Sequence, residues 1–173
     1  MSPGATSEDL DPRAPIVDGE TFTLVTELEV RQAVRLQYYV SLLVLQADIE
    51  GPLLPTDWVA LHRLIAEVIR DQIRSTDVVS VMTTSPHLQV LLVSTYLHNL
   101  PTVIERIAAA VNCQVFEADG RAGRVTLSVG GACFPTTARA RPELFRQAES
   151  LSIEARREPG EPGHRYRLAA VAS

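Results

Sequence analysis

Apolar residues recur along this chain in two rhythms, and the switches between them mark its elements. From Phe22 to Gln37, Phe22, Val25, Leu28 and Leu36 fall near three-to-four spacing with Glu29 and Gln32, which predicts a helix with Arg31 and Arg35 on its other faces. Val40 to Ala47, VSLLVLQA, is an unbroken apolar run of the kind a strand covered on both faces shows. Gly51-Pro52 and Pro55 then break the chain. A second helix is expected with Thr56 as N-cap, running through Trp58, Leu61, Ile65, Val68 and Ile69 to about Ile73. Val78, Val79 and Val81, then Leu88 to Val93, flank the polar stretch Thr83-Thr84-Ser85-Pro86-His87 and predict a hairpin. Pro86 fits its turn, because proline cannot donate to a ladder.

Pro101 opens another amphipathic segment, PTVIERIAAAVN. Strands are predicted over Cys113 to Ala118 and Arg124 to Phe134, joined through Asp119-Gly120 and Gly123. Gly130-Gly131 within the second implies either close backbone packing or a bulge. Pro142 starts a last helix whose buried side is Leu144, Phe145, Ala148, Leu151, Ile153 and Ala155, and His164 to Val171 is a final edge strand. The order α-β-α-β-β-α-β-β-α-β predicts an α/β sandwich, a central mixed and mainly antiparallel sheet with helices on both faces. Met1 to Glu20, rich in Ser, Pro, Gly and Asp, has no periodic face and reads as a flexible N-terminal arm before a single domain, residues 21–173.

Composition narrows the function. The chain has 173 residues, is 46% hydrophobic and carries a net charge of −5, so it offers a sizeable core and no basic surface for nucleic acid or an anionic membrane. All 16 basic residues are arginine, which excludes a catalytic lysine. Cys113 and Cys133 lack metal spacing, lie in apolar segments and are expected as buried free thiols in a reducing compartment. With no basic-plus-apolar leader and no apolar run long enough to span a bilayer, a cytoplasmic location is expected.

Four stretches, ELEVRQAVRLQYYVSLLVLQADI, LHRLIAEVIRDQIRSTDVV, LSVGGACFP and ELFRQAESLSIEARR, stand in the order and near the spacing of a known family. Together they make the chain, from about Phe22 to Leu168, similar to the GGDEF domain of diguanylate cyclases. The resemblance implies a GGDEF/nucleotidyl-cyclase-like sandwich and a setting in bacterial cyclic di-GMP signalling. Such cyclases join two GTP molecules using divalent metal ions held by carboxylates. Where the family has the first Asp of its Asp-x-Asp, this chain has Gln46; the second is kept as Asp48. In place of Gly-Gly-Asp/Glu-Glu-Phe stand Thr84, Ser85, Pro86, His87 and Leu88, so both glycines and both acids are gone. Ile49 to Asp57 is about four residues shorter than the guanine-reading segment and has no Asn or Lys.

The expectation is therefore a catalytically inactive domain with no catalytic residue, no bound metal and no cofactor. One family motif survives, Arg74-Ser75-Thr76-Asp77, which in many members binds cyclic di-GMP at an inhibitory site. A guanidinium grips phosphate or a guanine edge, and a carboxylate takes guanine N–H donors. The local alternative is a helix-end arginine and a turn-capping aspartate. Arg156 and Arg165 stand where the family has a phosphate-contacting Lys and the following Arg, and read as a solvated face. Asp48 with Glu50 reads as solvated acids, and His87 and His98 as turn and loop histidines. Ser41, Ser128 and Ser152 lack a nucleophile setting. Trp58 and Leu61 are either core or a partner patch. Two functions follow: a regulator or scaffold binding another protein through Thr83 to His87 or Ile49 to Asp57, or a cyclic di-GMP receptor using Arg74 and Asp77. Homodimerisation is implied by the resemblance.

Overall fold

The computed structural model describes residues 11–82, 87–158, 160 and 165–172. Its elements run β1 (Ile16–Val17), α1 (Gly19–Leu36), β2 (Val40–Glu50), α2 (Trp58–Arg70), β3 (Val78–Val81), β4 (His87–Val93), α3 (Leu100–Asn112), β5 (Phe116–Ala118), β6 (Arg121–Phe134), α4 (Arg141–Arg157) and β7 (Tyr166–Leu168). Among the described residues the strands form one sheet in the order β1-β3-β4-β2-β6-β5, with β7 also on β6. Only β1 on β3 and β7 on β6 are parallel; the other pairs are antiparallel. The α/β sandwich with a mixed, mainly antiparallel sheet is thus the observed architecture.

β2 lies at the centre because both its faces are apolar. Leu43 and Leu45 join the core under α2 and α3, with Ile65, Ile69, Ile104 and Ile107. Leu42 and Val44 join the core under α1 and α4, with Phe22, Ala33, Leu144 and Ala148. Gly130 of β6 carries the closest contact: a Cβ there would stand 2.0 Å from the Ala148 carbonyl oxygen and 2.4 Å from the Ser152 nitrogen. α4 therefore rests directly on β6 backbone, and the glycine pair marks close packing. The β5–β6 turn has Asp119 at φ 53° and Gly120 at φ 75°, the paired left-handed residues that a two-residue hairpin of matching twist needs.

Several expectations are corrected. A strand and the first two residues of α1 lie inside the stretch expected as a free arm: Ala14 is fully buried and Val79 donates to the Pro15 carbonyl at 3.0 Å. Asp11 and Arg13 tie this segment to Glu67, Arg70 and Asp71 of α2 and its end. α1 buries Phe22, Thr26, Val30 and Ala33, while Leu28 and Leu36 are exposed, because apolar residues decorate both sides of the helix. The N-cap of α2 is Asp57, whose carboxylate accepts from Ala60 N at 3.0 Å; Thr56 instead donates to Asp119. α2 stops at Arg70, β5 begins only at Phe116, and Ile153 of α4 is exposed. Trp58 is half-exposed rather than core, whereas Leu61 is buried. Cys133 is buried, but Cys113 is exposed at the end of α3. Among the described residues no helix is long and apolar enough to cross a membrane.

Candidate functional site

Two places gather the residues singled out above. The first is the C-terminal end of β2. The ladder sets Gln46 between His87 of β4 and Ser128 of β6, on the face covered by α4. Gln46 is buried and its Nε2 donates to Ser152 Oγ at 3.1 Å; that hydroxyl donates on to the Glu149 carbonyl at 2.7 Å. Two residues along, Asp48 Oδ1 accepts from Arg156 Nη2 at 2.7 Å, and Glu50 Oε1 accepts from Thr126 Oγ1 at 2.7 Å. Arg165 donates to the Gly160 carbonyl at 2.8 Å. Glu50 and Arg156 are exposed, as expected of solvated groups, and they and Asp48 also carry these surface bonds.

This donor set does not fit the hard divalent cation that the resemblance implies. A neutral amide stands at the first position, a guanidinium holds the remaining Asp48, and no group of three His, Cys, Asp or Glu among the described residues could hold a metal ion.

Thr84, Ser85 and Pro86 lie outside the described residues, as does Thr83. His87 is not a turn residue but the first residue of β4, and it is buried. His62, on α2, is buried as well, with Trp58 5.9 Å from it between ring centroids and its Nε2 without a hydrogen-bond partner. Burial holds both imidazoles below their ordinary pKa; nearby His87 adds to this at His62, while Glu149 opposes it at His87.

The second place is the loop after α2. Asp77 is buried, and its two carboxylate oxygens accept from Arg74 N at 2.8 Å and Val93 N at 2.9 Å. It thus closes the turn and pins it to the end of β4. Burial raises its pKa above the ordinary value against the pull of those two amides. Arg74 instead lines an open cavity of about 510 Å³ together with Asp71, Asn99, Thr102 and Arg106. The structure brings Arg74 to a cavity and takes Asp77 out of it. Sequence reading missed Arg106, whose Nη2 donates to the Gln72 carbonyl at 2.7 Å. Its signal was an arginine on the polar side of α3, which spacing alone does not connect to Arg74.

No protein-family model matches the sequence, and a search of the curated proteins finds no match. Solved structures do share the fold. The GGDEF domain of YfiN (TpbB) from Pseudomonas aeruginosa superposes with a TM-score of 0.71 at 20% identity, covering 90% of this chain and 97% of that one. The coiled coil and GGDEF domain of DgcB from Caulobacter crescentus, in complex with c-di-GMP, gives 0.65 at 15% identity over 90% and 81%. The diguanylate cyclase SiaD from Pseudomonas aeruginosa, in complex with its activator SiaC, gives 0.65 at 17% identity over 81% of this chain and 55% of that one. The chain has the GGDEF fold.

Proposed function

We propose that this is a non-catalytic GGDEF-like domain that acts by binding another protein. The observation carrying the reading is the pair of internal bonds at the end of β2. Gln46 is turned into Ser152, and Asp48 is held by Arg156. A carboxylate committed to a guanidinium, beside a neutral amide, is a poor seat for the cation that phosphoryl transfer between nucleotides needs. Without that chemistry, the intact scaffold around it is most simply a surface for recognition. SiaD, a diguanylate cyclase that shares this fold over 55% of its chain, is found in complex with an activator protein, SiaC. Cross-linked capture with the purified full chain, together with light scattering, tests this. A saturable complex with one partner protein, or a defined self-complex, is expected; a chain that stays monomeric and captures nothing above a scrambled-surface control contradicts it.

A second reading is favoured by the cavity that Arg74 and Arg106 share. Two arginines on one cavity suit a phosphate-bearing ligand, and in this reading the ligand is cyclic di-GMP. Asp77 then acts by shaping the loop that presents Arg74. Calorimetric titration with cyclic di-GMP tests it: binding is expected to vanish in Arg74→Ala, and ligand that still binds this variant refutes the site.

A further inference from the structure

The pole of the sheet opposite Gln46 and Asp48 carries a different chemistry. Tyr39 immediately precedes β2, and the strand's eleven residues put it about 35 Å from Glu50. Its ring lies 4.5 Å from that of Tyr96, centroid to centroid, and Tyr96 stacks on His98 at 5.5 Å. Tyr96 is 45% exposed and His98 is exposed, while Tyr39 is half-buried beneath them. The three rings border a cavity of about 500 Å³ closed by Pro101, Leu168 and Val171. Tyr39 also lines a second cavity, of about 330 Å³, together with Val34, Tyr38 and Pro135. No Asp, Glu, Lys or Arg lines either cavity.

We propose that this surface, two apolar slots that share Tyr39, the larger walled by Tyr96 and His98, binds an extended proline-rich segment of a partner protein. The inference rests on the reading of the chain as a protein-binding domain and supplies that reading with a surface. Charge selects the occupant first: a nucleotide, an acidic peptide or an anionic membrane needs cations, and the slots offer none. The rings select it further. Pyrrolidine rings pack flat on aromatic faces, and a polyproline II strand presents them in a regular series without internal hydrogen bonds. Its tertiary amides offer acceptors only, and the phenols of Tyr39 and Tyr96 and the imidazole of His98 supply donors. Such a strand is already extended before it binds, so little ordering opposes association.

The test uses the full-length chain, labelled with ¹⁵N, against a fluorescent polyproline decapeptide and an array of proline-rich decapeptides with varied flanks. At least one probe is expected to bind and to shift the amides of Tyr39, Tyr96 and His98. Tyr96→Ala is expected to weaken it at least about tenfold with the fold intact by circular dichroism. Trp58→Ala, at the far pole, is expected to leave it unchanged. The proposal is overturned if no probe binds, if Tyr96→Ala binds as well as the parent, or if light scattering shows a dimer that Tyr96→Ala dissolves. Partner capture that survives Tyr96→Ala would leave the protein-binding reading standing and remove this surface from it.

Discussion

Asp77 accepts two backbone amides at once, from Arg74 and Val93, and it is buried. Removing its carboxylate leaves both donors without a partner in a site where each such loss costs about 1–3 kcal/mol. Asp77→Ala is therefore expected to destabilise by about 2–5 kcal/mol and to lower the melting temperature by roughly 5–15 °C. A change within 2 °C in a thermal scan would show that the loop does not depend on it. His62 presents the reverse case, a buried polar atom with nothing to bond. Both His62 and His87 are held below the ordinary value of 6.5, so as pH falls the unfolded chain takes up protons before the folded one does. Stability is full above about pH 6.5 and declines below it until the depressed folded values are passed. His62→Leu should match or exceed the parent melting temperature at pH 7.5 and show a shallower decline between pH 6.5 and 5. An unchanged slope in that scan would exclude His62 as a contributor.

Much of this scale was hidden from the sequence. Arg74 and Asp77 were visible as a pair, but a four-residue spacing does not say which side chain faces the cavity and which faces the backbone. Arg106 sits on another helix, and only the fold carries it to Arg74. The bond from Gln46 to Ser152 likewise joins two elements that no local pattern relates.

Among the elements, β2 was legible because an apolar run without alternation has to be covered on both faces, and it is. The α1 face was not, because Leu24, Leu28 and Leu36 repeat the helical rhythm on the exposed side while Thr26 is the buried partner of Phe22. Spacing reports a stripe, and it cannot choose between two. The register of α4 on β6 was foreshadowed by Gly130-Gly131, though not the partner that needs the space. Gly130→Ala would drive its methyl into the Ala148 carbonyl and the Ser152 nitrogen, both backbone and unable to swing aside. Overpacking of this kind commonly costs 1–3 kcal/mol and here requires the helix itself to lift, so a loss of about 3 kcal/mol or more is expected by urea unfolding. Because Ser152 is the residue that anchors Gln46, the same variant should loosen the end of β2. A loss of unfolding free energy below about 1 kcal/mol would mean that α4 rides higher on the sheet.

Over the whole molecule, the fold and the chemistry of its sites point in different directions. The GGDEF fold runs from β1 to β7 among the described residues, and the end of β2, where the family resemblance sets metal and nucleotide, is tied by internal bonds. The Asp48–Arg156 pair is partly exposed and contributes at most about 1 kcal/mol, so its importance lies in what it occupies rather than in stability. Solvent-facing aromatic rings and uncharged slots lie at the other pole. The measurement that bears most directly on the central reading is incubation of the purified full chain with GTP and Mg²⁺ or Mn²⁺, followed by chromatographic detection of cyclic di-GMP. No product above a protein-free blank is the outcome expected of a chain whose β2 end holds an amide and an arginine-bound aspartate. Product that grows with protein concentration and disappears in Asp48→Ala would contradict it and restore the chain to the cyclases.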